Sequence, residues 1–141
     1  MTENKTIAER NEEHRQYLLG IAHTIRDISE GILYNLDCEY VTEGEMISLI
    51  EAGKNEEDDF EQVTIYDYLA DVLDATYYTT GRDGDYKGVR LLLAYGGPNV
   101  YLDTYFRTLE LYWWTESATV DLLPNEAAEV DDMWREVYYC G

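Results

Sequence analysis

The sequence predicts an α+β fold in which N-terminal helices precede an antiparallel three- to five-stranded β-meander and a C-terminal acidic helix. Up to Leu73 the apolar residues recur at intervals of three and four, which is the period of a helix. After Asp74 the period falls towards two, which is that of a strand, and beyond Pro124 the helical interval returns. Helices and strands that are segregated along the chain are typical of α+β folds.

The first predicted element is a long helix. Its apolar stripe starts near Thr6 and continues to Leu36 at intervals of three and four residues. Gly20 and Gly31 lie within this stripe, and interior glycine weakens a helix. We therefore expect the helix to bend at one of these two residues.

Two shorter helices are predicted on either side of an acidic loop. Thr42 and Glu45 form an S/T-x-x-E capping box, which indicates a helix that Gly53 is well placed to end. The loop "NEEDDFEQ" (55–62) follows. Thr64 then caps a helix that carries apolar residues as far as Leu73.

The second half of the chain is predicted to form the meander and the last helix. The turns between the strands are "GRDGD", "GGPN" and "TYFR". The candidate strands are "ATYYTT", "YKGVRLLLAY", "VYLD", "TLELYWW" and "ATVDL". Val130, Met133, Trp134 and Val137 form the apolar stripe of the C-terminal helix. We expect residues 1–141 to be a single domain, mostly helical with an acidic loop over 1–60, and helix, meander and helix over 64–141.

One predicted strand carries a semi-apolar second face. Alternation in "TLELYWW" directs Leu109, Leu111 and Trp113 to one side, and Thr108, Glu110, Tyr112 and Trp114 to the other. Leu92, Ala94 and Tyr101 are expected on the same side as Tyr112. Burial of this face under further helices is favoured, because Trp and Tyr usually pack in cores. The alternative is a partner, such as a second copy of the chain, at an aromatic interface of Tyr101, Tyr112 and Trp114.

The composition is strongly acidic and yet typical of a folded protein. The formal net charge is −20, while 45% of the residues are hydrophobic and 13% aromatic, with 14 Tyr. Disordered acidic tails are poor in such residues, so we expect this chain to fold despite its self-repulsion. Repulsion of phosphates argues against direct binding of nucleic acid and of anionic membranes.

The sequence also indicates the compartment. No apolar stretch reaches the roughly 18 residues of a transmembrane helix, and the N-terminus lacks the apolar region of a secretory signal. Cys38 and Cys140 are too few for a disulfide scaffold, which predicts two reduced thiols in a cytoplasmic protein.

Two elements could gather the negative charge. The loop 55–62 holds five carboxylates, those of Glu56, Glu57, Asp58, Asp59 and Glu61. On the C-terminal helix, Glu129, Asp132 and Glu136 follow at intervals of three and four, about 4.5–6 Å apart along one face. Either element alone is explained by solvation, and a protein-binding acidic surface becomes the better hypothesis only when the net charge is taken together with the resemblance that follows.

A resemblance supports that hypothesis. The motifs "GGPNVYLDT" (96–104) and "LELYWW" (109–114), with "YKGVRLLLA" upstream, resemble a family of small acidic proteins of bacterial phages and conjugative elements. The resemblance covers roughly half of the chain. It implies counter-defence of the anti-CRISPR or anti-restriction type and supplies no catalytic residue.

Other chemistry finds little support in the sequence. Asp83, Gly84 and Asp85 lack the later ligands of a calcium loop, and a hairpin turn explains them better. His14 and His23 have no zinc-binding motif around them. "GGPN" lacks the Lys and Ser/Thr of a P-loop. We therefore expect no catalytic residue, no metal, no cofactor and no enzymatic activity.

The sequence therefore predicts an inhibitor of a bacterial DNA-targeting defence nuclease, with a Cas9-type effector as the leading target. It would act as an acidic DNA mimic that occupies the basic DNA-binding groove of the nuclease. One alternative is an anti-restriction protein directed against a restriction-modification enzyme. The other is a non-inhibitory module that forms a homodimer and whose acidity serves solubility.

Overall fold

The computed structural model describes residues 4–140, which form two antiparallel sheets and four α-helices, as the α+β prediction requires. The three-stranded sheet has the order β2-β1-β3, and the five-stranded sheet is a meander in the order β4-β5-β6-β7-β8. In chain order the elements are α1 (Ile7–Glu30), β1 (Leu33–Leu36), β2 (Glu39–Thr42), α2 (Glu43–Glu51), a 3₁₀ turn (Glu57–Asp59), β3 (Glu61–Gln62), α3 (Ile65–Tyr68), β4 (Asp74–Thr79), β5 (Tyr86–Ala94), β6 (Asn99–Asp103), β7 (Thr108–Trp113), β8 (Glu116–Asp121) and α4 (Pro124–Cys140).

The core lies between the large sheet and the two long helices. Helix α1 packs on β7 and β8, and α4 packs on β5 and against α1. Inward residues of the strands meet apolar residues of both helices at the centre of this core. The fully buried side chains include Leu18, Ile25, Val89, Leu91, Leu102, Leu109, Leu111 and Val130.

The other face of the large sheet is not covered by these helices, so the expectation that helices bury it is wrong. Tyr112 on this face is 44% exposed. An antiparallel sheet can leave one face in contact with solvent when that face carries polar groups, and here Arg90 and Glu110 occupy its centre.

Helix α1 begins after Thr6, as predicted, but ends at Glu30 instead of continuing to Leu36. Gly31 adopts a left-handed conformation with φ of 71°, and its N–H donates to the Ile28 carbonyl, which closes the helix. The following residues form β1, which turns into β2 through Asp37 and Cys38 at positive φ. Leu33 and Leu36 happen to continue the helical interval, and this explains the error.

The two capping predictions are confirmed, although the third helix is shorter than expected. The Thr42–Glu45 capping box starts α2, and Gly53 follows its end at φ of +72°. Thr64 caps α3, which stops at Tyr68. The sequence predicts that this helix continues to Leu73. Instead, the N–H of Leu73 donates to the Leu92 carbonyl of β5, so this residue already pairs with the edge of the sheet.

The five strands of the meander are confirmed, with one change of position at the β7–β8 connection. Trp113 pairs with Glu116, so Trp114 and Thr115 form a two-residue turn and Trp114 does not belong to the strand. Pro124 begins α4, and the Leu123 N–H donates to the Glu126 carboxylate as in a helix cap. No helix within residues 4–140 is both long enough and apolar enough to cross a membrane.

Candidate functional site

The acidic block, defined as residues 55–62, forms a short surface turn anchored by one apolar side chain. Phe60 is buried, while Glu56, Glu57, Asp58 and Glu61 are exposed. Asp59 differs from these because its carboxylate accepts a hydrogen bond from the Glu56 N–H at 2.9 Å. The turn therefore presents four outward carboxylates and uses the fifth to hold its own backbone.

No carboxylate of this block forms an ion pair in the part of the chain that the structure describes. Carboxylates that lie within 4.0 Å of a Lys, Arg or His nitrogen all lie elsewhere. They belong to Glu12, Glu13, Asp27, Asp103, Glu110, Glu116 and Asp131. The charge of the block is therefore available to a partner.

The three carboxylates predicted on α4 have different surroundings. Glu129 is half-buried, whereas Asp132 and Glu136 are exposed. Glu136 accepts a hydrogen bond from the Tyr66 hydroxyl of α3 at 2.7 Å, and this bond raises the pKa of Tyr66. Tyr66 follows Glu61 by five residues, so at most about 18 Å of backbone separates the acidic block from the residue that contacts Glu136. The two predicted acidic elements are thus linked through α3.

The mean charge density of the surface is far below that of DNA. The accessible surface is 9120 Å², and 20 net charges spread over it amount to about 456 Å² per charge. Duplex DNA, with one charge per ~1.7 Å and a width of about 20 Å, carries about one charge per 110 Å². Resemblance to DNA can therefore be only local.

A polar and aromatic network occupies the uncovered face of the large sheet. The guanidinium of Arg90 donates to both oxygens of Glu110, at 2.8 and 3.2 Å, and to Asp103 at 3.3 Å. Asp103 is completely buried and also accepts from the Tyr78 hydroxyl at 2.5 Å. The same guanidinium lies 4.3 Å from the ring centre of Tyr101.

Near neutral pH Glu110 is ionised and Tyr78 keeps its proton. The hydrogen bonds from Arg90 hold the pKa of Glu110 at about 2, against an ordinary value of 4.5. Burial, followed by the hydrogen bond to Asp103, raises the pKa of Tyr78 to about 12. Glu110 and Tyr78 therefore do not exchange protons near pH 7, and neither is suited to general acid–base catalysis there.

The predicted aromatic interface is divided between two places. Tyr101 and Tyr112 meet edge to face, with ring centres 6.2 Å apart. Trp114 contacts Trp113 instead, at 5.8 Å, and is 87% exposed at the tip of the β7–β8 hairpin.

A second exposed aromatic pair was missed by the sequence analysis. Tyr105 and Phe106, in the turn between β6 and β7, are 54% and 64% exposed and pack against Tyr78. A Cβ atom at Gly88 would lie 2.8 Å from the Cβ of Tyr105, so the turn folds back onto the sheet at a residue without a side chain. The signal was the "YF" pair inside "TYFR", where a turn usually has polar residues.

Among residues 4–140, no three His, Cys, Asp or Glu side chains converge as a metal-binding group would. No family model, curated protein or solved structure matches the chain. The two surfaces that could bind a partner are the acidic block and the aromatic face of the large sheet.

Proposed function

We propose that the protein is a non-enzymatic inhibitor of a bacterial DNA-targeting defence nuclease, in the cytoplasm of the host cell. It occupies the basic DNA-binding groove of the nuclease with an acidic face. The observation that carries this proposal is the acidic block, whose four outward carboxylates have no cationic partner within residues 4–140.

The local spacing of these charges supports mimicry although the mean density does not. Residues 56 to 61 span at most about 18 Å of chain, so the three intervals between the four exposed carboxylates average at most about 6 Å. One strand of duplex DNA carries one charge per about 3.4 Å. In a Cas9-type effector, the groove that reads the PAM is built on arginine side chains, to which such carboxylates are complementary.

The block can be tested without damage to the fold. In the test variant Glu56→Gln, Glu57→Gln and Asp58→Asn are combined, while Asp59 is kept because it holds the turn. The matched control combines Asp71→Asn, Asp74→Asn and Asp83→Asn, three exposed carboxylates outside both predicted acidic elements. Both variants have the same net charge, because −20 plus 3 is −17.

Affinity for guide-loaded Cas9 and for a restriction enzyme should then be measured at low and high salt. We expect the test variant to bind roughly three- to a hundredfold more weakly, with a smaller salt dependence, because three ion pairs of about 0.2–1 kcal/mol each are lost. We expect the control variant to bind almost as the wild type does. Equal losses in both variants would indicate plain polyanion behaviour, and no loss would reduce the block to a solvated turn. The restriction enzyme arm tests the anti-restriction alternative.

The uncovered sheet face favours one candidate of another class, a non-inhibitory homodimer. Tyr101 and Tyr112 would form its interface, and acidity would serve solubility. The net charge of −20 opposes self-association, so a dimer would become stronger with added salt. Light scattering at low and high salt distinguishes this candidate, since the inhibitor needs no dimer.

A further inference from the structure

At the tip of the β7–β8 hairpin, Trp114 has a strained backbone and an exposed side chain. Trp114 has a positive φ of 55°, and its side chain is 87% exposed. Hairpin turns that need positive φ favour Gly, Asn and Asp, and a bulky residue there is an outlier that costs free energy. Burial in the core does not explain why tryptophan occupies this position.

The hairpin that carries Trp114 is held in place by helix α1. Glu116, the second residue after Trp114, accepts hydrogen bonds from Arg10 Nε at 3.0 Å and from His14 Nε2 at 2.8 Å. The next residue, Ser117, donates its N–H to the Asn11 side chain at 3.0 Å. Three residues of one helix therefore hold the start of β8, two and three residues after Trp114.

The ring has one aromatic neighbour, which favours one orientation of the side chain. Trp114 meets Trp113 at a ring-centre distance of 5.8 Å and an interplanar angle of 72°, and Trp113 packs against the core. An exposed aromatic side chain that is already positioned loses little entropy on binding, which is the property of an interface anchor.

The net charge of the protein favours a partner of opposite charge. At a net charge of −20, the protein attracts a cationic surface and repels an acidic one. Tryptophan is the aromatic side chain that binds cations best, and arginine can also stack on its plane. We propose that Trp114 is a preorganised anchor that stacks on an arginine guanidinium of a protein partner. This inference rests on the proposed function in one respect, which is that the protein partner is the nuclease.

The test uses hexa-arginine and hexa-lysine peptides, which carry equal charge, and it does not require the nuclease. Calorimetry at about 0.15 M NaCl gives the affinity ratio. The difference in tryptophan emission between wild type and Trp114→Gly reports contact with this ring, since Trp113 and Trp134 are present in both. We expect wild type to prefer the arginine peptide by about two- to fivefold, the range of an exposed cation–π contact. Trp114→Gly suits the positive φ and should lose this preference.

The control is Phe106→Ala, which removes another exposed aromatic residue, 64% exposed, from the turn between β6 and β7. This variant should keep the arginine preference. The inference is overturned if Trp114→Gly keeps the preference, if Phe106→Ala loses it equally, or if wild type is a dimer that Trp114→Gly converts to a monomer. Far-UV circular dichroism verifies that both variants are folded.

Failure of this inference can be told apart from failure of the proposed function. If no nuclease binds but the arginine preference depends on Trp114, the proposed function fails and the anchor stands. If a nuclease binds Trp114→Gly as tightly as wild type while the acidic block variant is weakened, the anchor fails and the proposed function stands.

Discussion

Two adjacent tryptophans should contribute very differently to the stability of this protein. Trp113 faces inward and packs against the core, whereas Trp114 is 87% exposed. Only 13% of the Trp114 surface is covered, which is about 33 Å² of a side chain of about 250 Å². At about 25 cal/mol per Å², removal of this contact costs roughly 0.8 kcal/mol.

Replacement of Trp114 by glycine also changes the cost of the turn. Glycine relieves the left-handed strain, which raises the free energy of unfolding by about 1–2 kcal/mol. The greater freedom of glycine in the unfolded chain lowers it by about 0.5–1 kcal/mol. We therefore expect the free energy of unfolding of Trp114→Gly to lie within about 1 kcal/mol of wild type. Trp113→Ala should lose about 2–4 kcal/mol, because it leaves a cavity beside the core.

Urea unfolding followed by circular dichroism measures both variants, and equal m-values would indicate that the same surface is exposed on unfolding. A loss above 3 kcal/mol for Trp114→Gly would refute the surface assignment of this residue. A smaller loss for Trp113→Ala than for Trp114→Gly would refute the assignment of both residues.

Three further predictions concern the sheet face and the block. Gly88→Ala should lower the free energy of unfolding by about 1–3 kcal/mol, because the new Cβ would lie 3.1 Å from the backbone nitrogen of Tyr105; thermal unfolding measures this loss. The folded pKa of Glu110, about 2, lies below its ordinary 4.5, so its contribution is present above about pH 4.5 and is lost as pH falls towards 2. For this partly exposed pair we expect about 1–2 kcal/mol, and Glu110→Gln should flatten the acid limb of a stability–pH curve. The acidic block variant should melt no lower than wild type in calorimetry, since it removes repulsion, and a lower melting temperature would contradict this.

The helix starts could be predicted because their caps are local hydrogen bonds. The caps at Thr42 and Thr64 depend on residues three positions away, so the sequence contains all of their information. The end of α1 could not be placed in this way, because Leu33 and Leu36 fit a helical stripe as well as the strand that they form. That strand depends on pairing with β2 and β3, which the local pattern does not contain.

The candidate surfaces were predictable to different degrees. Exposure of the acidic block followed from its composition, but the use of Asp59 to hold the turn depends on backbone geometry. The Arg90 network requires the register of three strands, in which Arg90 pairs with Asp103 and Glu110 with Tyr101. Alternation continues through Trp114 and predicts that it belongs to the strand, and only the pairing of Trp113 with Glu116 reveals the turn.

The most direct test of the central claim is an order-of-addition experiment with a guide-loaded nuclease and labelled target DNA. If the acidic face competes for the DNA groove, protein that is mixed with the nuclease first should abolish the DNA mobility shift. The same protein should have little effect when it is added after the nuclease–DNA complex has formed. Association should also slow as salt shortens the Debye length from ~10 Å at 0.1 M to ~3 Å at 1 M. Inhibition that stops cleavage while DNA binding remains intact would contradict the account, even if the protein did inhibit the nuclease.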